Sequence, residues 1–500
     1  MSYLELLRLA APEAIVVLTA FVVLTIGLVT GRREAGDTPA ATAGLGALVA
    51  ALGLAIAAAT IVRLPGHATL FHGMLVVSPL NSLFQVIVLV LAFFTVILAR
   101  GERLLPNKGE YLAMILLATV GLMLLIGSEE LLMIFIGLEL TGLSLYVMTA
   151  FDKASQTSAE AGLKYFLFGS MASAFTLFGL SLIYGFTGTT SLAAIGPRLA
   201  EQALPPLLFV GIVMTLIGFL FKIAAAPFHL WAPDAYQGAP VSTAGFIASG
   251  SKVASFIVLG KILLIGFGPV SGSADWHGLI AGWTPILAVL SALSILIGNL
   301  VALVQKNVRR LLAYSAVAHG GYTLLGLIAG GRAGFSATLF YTTIYAVTLV
   351  GAFGVVGFVR RENGGDDLAD FAGLRARSPL LAGCMAIFLL SLAGLPPLAG
   401  FFGKFYLFST ALRAGANHGL LWLVALALFG SLISLYYYLI VLKVIFLDEN
   451  AQATPAVARY DFEMRADYLP KMTLLVLAGA VLLLGIIPGT LVARILASFG

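Results

Sequence analysis

Three lysines of this sequence lie inside long apolar stretches. Lys222 stands in LIGFLFKIAAAPFHLW, Lys252 in TAGFIASGSKVASFIVLG and Lys404 in LAGLPPLAGFFGKFYLF. A cation at bilayer depth is costly unless it has a partner or a water-filled cavity, and such residues commonly mark the paths of ions and protons. The sequence therefore points to charge transfer across an apolar barrier as the chemistry to look for.

Two of these lysines lie close to prolines. Pro227 follows Lys222 by five residues, and Pro396 and Pro397 precede Lys404. Proline interrupts the backbone hydrogen bonding of a helix, and irregular backbone at membrane depth is tolerated where it is buried in protein or lines a cavity. The spacing predicts two broken helices, each with an ionisable side chain near its break.

The composition is typical of an integral membrane protein. Of the 500 residues, 60% are hydrophobic and 10% are charged, whereas about a quarter of an average soluble domain is charged. The net charge of +5 does not indicate nucleic-acid binding, because the basic residues are spread over short loops between apolar runs. The single cysteine, Cys384, excludes an intrachain disulfide and a cluster held by several cysteines.

Runs of about 20 apolar residues predict fourteen transmembrane helices, and hence an all-α, polytopic fold in one membrane domain, 1–500. The predicted spans, numbered 1 to 14, are 12–30, 40–62, 75–99, 109–127, 129–150, 160–185, 205–237, 242–266, 280–304, 309–330, 335–359, 378–413, 419–446 and 470–495. Spans 7 and 12 are too long for one straight crossing at about 1.5 Å per residue. They are also the two that contain a predicted break.

Spacing predicts an internal repeat. Glu139 on span 5 and Lys222 on span 7 are 83 residues apart, and His319 on span 10 and Lys404 on span 12 are 85 apart. A shift of five helices reverses the direction through the membrane, so spans 4–8 and 9–13 are predicted to form an inverted repeat, which is typical of transporters. The chain then divides into an N-terminal group (1–108), a first repeat (109–266), a second repeat (280–446) and a C-terminal helix (470–495).

Glu139 is the strongest candidate among the carboxylates. It lies near the middle of span 5, where a buried carboxylate is best tolerated beside a cation, and Lys222 is the expected partner. Glu129 and Glu130 follow Ser128 at the start of the same span, so helix capping and the helix dipole explain them.

The other ionisable residues each have two readings. Lys164 lies only about five residues into span 6 and is equally compatible with reaching the membrane surface and with function. His229 could pass protons near neutral pH or cap the broken end of span 7. Lys261 is nine residues beyond Lys252, out of phase with it at about 100° per residue, and is predicted to reach the membrane surface. Asp234 is predicted to lie at the cytoplasmic rim, where it could cap a helix, position the loop or admit protons, and a structural role is preferred.

Lysine and arginine counts predict the orientation. The loops after odd-numbered spans contain fifteen of these residues, and the termini and remaining loops contain six. Because cytoplasmic loops carry the excess of positive charge, both termini are predicted to face away from the cytoplasm.

Four stretches resemble the antiporter-like membrane subunits of respiratory complex I. They are FIGLELTGLSLYVM (135–148), FKIAAAPFHLWAPDAYQGAPVSTAGFIASGSKVA (221–254), NVRRLLAYSAVAHGGY (307–322) and LSLAGLPPLAGFFGKFY (390–406). Within that family, PDAYQGAP at 233–240, the lysine at 404 and a chain that ends soon after span 14 resemble subunit N of bacterial NADH-quinone oxidoreductases. The resemblance covers nearly all of the chain beyond about residue 75.

The resemblance implies a proton path through Glu139, Lys222, Lys252 and Lys404, with Lys164 matching a further lysine of the subunit N pattern. His229 and His319 are weaker candidates. The resemblance also implies that the chain is a multi-pass subunit of a complex in the bacterial inner membrane, beside further antiporter-like subunits. NADH and quinone, ubiquinone or menaquinone, would be bound by partner subunits, and this chain would hold no cofactor or metal. Two alternatives stay open, namely an Mrp-type cation/proton antiporter subunit and a structural subunit needed only for assembly.

Overall fold

The computed structural model describes residues 3–31, 39–102, 107–200, 205–415, 418–448 and 468–499. These residues form a bundle of helices, as predicted, with one small hairpin of antiparallel strands, β1 (Ala68–Leu70) and β2 (Leu75–Val77). Strand β2 occupies the first residues of predicted span 3, and the helix of that span begins only at Pro79. Five arginines of the orientation count lie outside the described residues: Arg32, Arg33, Arg103, Arg459 and Arg465.

The helices follow the apolar runs of the sequence closely. In chain order they are α1 (Tyr3–Leu9), α2 (Ala11–Gly31), α3 (Pro39–Val62), α4 (Pro79–Arg100), α5 (Lys108–Gly127), α6 (Leu131–Thr149), α7 (Gln156–Thr187), α8 (Leu192–Ala200), α9 (Pro206–Lys222), α10 (Trp231–Gly238), α11 (Val241–Phe246), α12 (Lys252–Lys261), α13 (Trp283–Ala302), α14 (Val308–Ala329), α15 (Gly331–Asn363), α16 (Leu374–Arg377), α17 (Pro379–Ala393), α18 (Ala399–Arg413), α19 (Leu421–Phe446), α20 (Tyr468–Ile486) and α21 (Gly489–Ala497).

Within the described chain, twelve helices are long and apolar enough to cross a membrane. One of them is the continuous stretch Val241–Gly266, in which π-helical turns at Ile247–Ser251 and Ile262–Gly266 flank α12. The two remaining predicted spans, 7 and 12, are each split into two shorter helices, α9 with α10 and α17 with α18. Both breaks are where the prolines predicted them, while the total of fourteen crossings and the inverted repeat stay predictions.

Side chains satisfy the backbone groups that the first break frees. Helix α9 ends at Lys222, and the Trp231 indole N–H donates to the carbonyl of Phe221 at 3.0 Å. The amide of Ala226 donates to the Ser294 hydroxyl at 2.8 Å. Because unpaired polar groups are costly in an apolar interior, these bonds make an interrupted helix stable at this depth.

The second break is built similarly. Gly394, at the end of α17, has φ +87°, a left-handed conformation that a glycine adopts without strain. The Ser391 hydroxyl then accepts from the amide of Gly400, in the first turn of α18. The break is therefore closed by one special backbone conformation and one hydroxyl.

The core of the bundle lies where α14, α15 and the stretch Val241–Gly266 meet. In the most apolar part of these elements 94%, 89% and 94% of residues are buried, compared with 22% in α2 and 33% in α7. Residues on the three core elements are therefore shielded from lipid.

The start of α6 differs in detail from the prediction. Its N-cap is Glu130, whose carboxylate accepts from the amide of Met133 at 2.8 Å, whereas Ser128 ends α5 and donates to the carbonyl of Leu124. The structural role predicted for Glu130 is confirmed, and Ser128 as the cap of this helix was wrong. The Glu130 side chain thus satisfies the Met133 amide, which is one of the first-turn amides without a partner inside the helix.

A buried ionic cluster joins the start of α14 to the segment after α15. Arg309, 2% exposed, pairs with Asp366, which also pairs with Arg360 at 2.9 Å. The side-chain amide of Asn307 donates from Nδ2 to the same carboxylate at 2.5 Å. The cluster leaves Asp366 fully partnered and ties two core helices together.

Candidate functional site

The three lysines that opened the sequence argument are all buried. Lys222, Lys252 and Lys404 are 6%, 2% and 4% exposed, and we call them the lysine row. Each ammonium lies over the ring of a tyrosine, at 5.4, 5.5 and 5.3 Å from its centroid. The rings are those of Tyr146, Tyr345 and Tyr322. A desolvated cation over a ring gains about 2 kcal/mol, which offsets only part of the several kcal/mol that burying an ammonium costs.

Glu139 and Lys222 face one cavity without touching. The Glu139 carboxylate accepts from the Ser173 hydroxyl of α7. The Lys222 ammonium has no hydrogen-bond partner among the described residues. Both side chains line one narrow cavity of about 10 Å³. The predicted direct ion pair is therefore wrong for this structure, because α7 holds the carboxylate instead.

Lys252 begins α12, directly after a π-helical turn. Its ammonium donates to the carbonyl of Ala316 on α14 at 2.6 Å. π-Helical turns disturb the regular backbone bonding of a helix and are frequent at functional sites. The sequence located this lysine but gave no sign of the turn.

His319 lies on α14, about one helical turn after Ala316. Its Nδ1 is 2.6 Å from the Tyr341 hydroxyl and its Nε2 is 3.2 Å from the Tyr438 hydroxyl, which also bonds Ser315. Both ring nitrogens therefore have partners in the protein interior, in either tautomer. Such a chain of hydroxyls and imidazole can pass a proton by exchanging donors and acceptors.

Lys404 lies in the first half of α18, after the second break. Its ammonium donates to the carbonyl of Ala393 at 3.0 Å and to the Ser431 hydroxyl at 2.8 Å. Ala393 is the last residue of α17, and the final carbonyls of a helix have no partner inside it. The broken helix thus supplies an acceptor for the cation.

One short stretch of α14 contacts two members of the lysine row and the residue next to the third. Ala316 accepts from Lys252, and the ring of Tyr322 lies under Lys404. Gly320 lies against the carbonyl of Ile223, the residue after Lys222, where a Cβ would be 3.2 Å from that oxygen. Residues 316–322 therefore form the common wall of the site.

Lys164 lies apart from this arrangement. It pairs with Glu160 at 2.6 Å and with Asp234 at 2.8 Å, and its side chain is 40% exposed. Asp234 also pairs with Arg310 at 2.6 Å. The structure thus places Lys164 in an exposed ionic network, and Asp234 has the structural contacts predicted for it.

His229 lies in the first break, between α9 and α10. It is 6% exposed, and its Nδ1 has no hydrogen-bond partner among the described residues. The nearest ring to it is that of Tyr314 on α14, with centroids 6.3 Å apart. The structure thus brings this histidine to the core helix without bonding it to the lysine row.

Lys261 does not reach the membrane surface as predicted. It is 2% exposed, donates to the carbonyl of Ile126 at 2.8 Å and pairs with Glu129 at 3.4 Å. A cation at the last carbonyls of a helix is favourable because of the helix dipole, so it fixes α12 to the end of α5. Periodicity showed that it faces away from Lys252 but not that protein covers it.

Several polar neighbours of the site were missed by sequence reasoning. These are the rings of Tyr146, Tyr322 and Tyr345 and the hydroxyls of Ser173, Ser431 and Tyr341. Tyrosine and serine are common in membrane helices, so only the three-dimensional contacts identify them. The Tyr438 hydroxyl, which lies 3.2 Å from Nε2 of His319, belongs to the same set.

The arrangement of buried lysines suits proton transfer. No group of His, Cys, Asp or Glu that could hold a metal ion occurs among the described residues. Buried lysines hold or release a proton according to the charges near them, because burial makes the charged form costly.

Comparison with known proteins gives a consistent family. Residues 128–434 match the family described as NADH:quinone oxidoreductase/Mrp antiporter, TM. The chain is 46% identical to NADH-quinone oxidoreductase subunit N 2 of Acidobacterium capsulatum, over 98% of both chains. It superposes on a chain of respiratory complex I from Thermus thermophilus with bound Aureothin, with a TM-score of 0.74, 31% identity and coverage of 96% and 98%.

A chain of the Mrp complex from Dietzia sp. DQ12-45-1b shares the fold, with a TM-score of 0.78, 22% identity and coverage of 97% and 96%. The family match spans the lysine row, both breaks and the core helix α14. The chain belongs to the NADH:quinone oxidoreductase/Mrp antiporter membrane family and, within it, to the N subunits of NADH-quinone oxidoreductases.

Proposed function

We propose that this chain is a proton-translocating membrane subunit of an NADH-quinone oxidoreductase. One observation carries the proposal, namely that residues 316–322 of α14 contact Lys252 and Lys404 directly and contact Ile223, the residue after Lys222. A structural subunit gains nothing from three costly buried cations, whereas a proton path needs ionisable groups at membrane depth.

The proton path begins at Glu139 and Lys222. When the Glu139 carboxylate approaches Lys222, the ammonium is stabilised and keeps its proton. When the carboxylate withdraws, burial favours the neutral amine and the proton leaves. Both side chains line the same narrow cavity, so a change of the Glu139 rotamer decides whether its carboxylate faces Ser173 or Lys222.

From Lys222 the proton passes along α14. The His319 ring lies 5.0 Å from the ring of Tyr345, which is under Lys252, and 5.5 Å from the ring of Tyr322, which is under Lys404. Donor and acceptor exchange along these groups carries the charge without moving a heavy atom far. Lys222 and Lys404 each lie beside a broken helix, which agrees with the predicted inverted repeat of two halves.

The energy for this transfer comes from partner subunits. They bind NADH and quinone, while this chain contributes the membrane path next to other antiporter-like subunits. We place the complex in the bacterial inner membrane, with both termini of this chain outside the cytoplasm, in agreement with the lysine and arginine count. Lys164 and the ionic network around Asp234 lie on the cytoplasmic side in this orientation.

Lys252 gives a direct test. In the whole complex reconstituted in proteoliposomes, Lys252→Met should abolish NADH-driven proton uptake while assembly on native gels is kept. Lys443→Met is the matched control, because Lys443 is exposed at the end of α19. Wild-type uptake in the Lys252 variant would support an assembly role. Uptake that required sodium would support an Mrp-type antiporter.

A further inference from the structure

Glu139 is held by a residue outside the proposed path. Its carboxylate accepts a hydrogen bond from Ser173, which lies on the neighbouring helix α7. Two threonines of that helix bond their own backbone instead. Thr176 donates to the carbonyl of Ala172 at 2.9 Å, and Thr187 donates to that of Ile183 at 2.8 Å.

The bond of Ser173 to another side chain, and not to its own backbone, has a direct consequence for Lys222. A return bond to the helix backbone is the ordinary choice for a serine or threonine in an apolar environment. Ser173 instead reaches across to a carboxylate, and the lysine that faces the same cavity has no hydrogen-bond partner in the described chain. The contact therefore decides which of two cavity groups Glu139 engages.

We propose that Ser173 is a positioning residue that holds Glu139 away from Lys222. It thereby sets the balance between an open form, in which Ser173 holds the carboxylate, and a closed form, in which the carboxylate contacts Lys222. The inference rests on the proposed function and identifies the residue that holds Glu139 in the open form. Serine suits this task, because it offers one donor to an ionised carboxylate and rotates freely.

Removing the hydroxyl should let Glu139 settle against Lys222. Ser173→Ala loses one hydrogen bond to an ionised group, so the closed form gains roughly tenfold. NADH-driven proton uptake per assembled complex should fall roughly tenfold. Ser173→Thr restores the donor and should restore uptake, which a purely structural role for the serine side chain would not require.

Thr176→Val is the matched control, because Thr176 lines the same cavity but bonds its own helix. It removes a hydroxyl at nearly constant volume and should change uptake less than about twofold, since no bond to Glu139 is lost. If the alanine variant does not assemble, Ser173→Cys keeps the size with a weak donor and should show the same loss. Equal losses in the Ser173 and Thr176 variants, or no rescue by threonine, would overturn the inference.

A double-mutant cycle separates this inference from the proposed function. Glu139→Gln alone should abolish uptake, and adding Ser173→Ala should change nothing more, because the serine acts through Glu139. If Glu139→Gln is impaired but Ser173→Ala pumps like wild type, the role of Ser173 is refuted and the path stands. If Glu139→Gln itself pumps like wild type, the path through Glu139 fails.

Discussion

Lys404→Met tests whether the second broken helix needs a titrating group or only a long side chain. In the structure the ammonium bonds one carbonyl and one hydroxyl and lies over the ring of Tyr322. Methionine keeps the length and the apolar stem of lysine but has neither charge nor donor. The substitution thus removes the proton site with little change in packing.

The effect on stability should be small, because two large contributions oppose each other. Two hydrogen bonds from a charged group contribute about 3–6 kcal/mol together, and the ring contact adds about 1–2 kcal/mol. Against them stands the desolvation of a buried ammonium, which costs several kcal/mol. The free energy of unfolding should change by no more than about 2 kcal/mol, so the complex should assemble.

The assay compares proton uptake with quinone reduction in the same proteoliposomes. The Met variant should lose uptake at normal assembly. Lys404→Arg should also be impaired, because a guanidinium does not release its proton. Normal uptake in the Met variant would remove Lys404 from the path. Normal uptake in the Arg variant alone would assign Lys404 the role of a fixed positive charge.

Two further predictions concern stability and orientation. Asp366→Ala leaves Arg309 buried without its carboxylate and should cost about 3–5 kcal/mol, seen as lower thermal stability of the complex. Glu160→Ala removes a 62% exposed partner of Lys164 and should cost less than about 1 kcal/mol; equal losses would contradict the burial argument. Tyr3→Cys should react with an impermeant maleimide in intact cells and Arg375→Cys only after permeabilisation, while the native Cys384 is buried and silent. The opposite pattern would reverse the topology.

The sequence predicted those parts of the fold that depend on local chemistry. Apolar run length located the helices, and Pro227 and Pro396–Pro397 located both breaks, because proline removes a backbone donor wherever it stands. Lys222, Lys252 and Lys404 were recognisable because a charge in an apolar run is conspicuous without knowledge of its neighbours.

Contacts between distant helices could not be predicted in the same way. Nothing in the spacing of Glu139 shows that Ser173 bonds it, because the bond depends on how α6 and α7 pack. Likewise, periodicity correctly predicted that Lys261 faces away from Lys252, but its burial depends on contacts with the end of α5. The π-helical turn before Lys252 has no residue signature comparable to proline.

The common wall formed by residues 316–322 has a consequence for timing. Because one rigid helix meets the surroundings of all three lysines, a small rotation or slide of α14 would alter every one of those contacts in the same movement. On the proposed path, the three sites would then not gain and lose protons as independent, unsynchronised events. They would behave as a single cooperative unit, with α14 as its shared mechanical element.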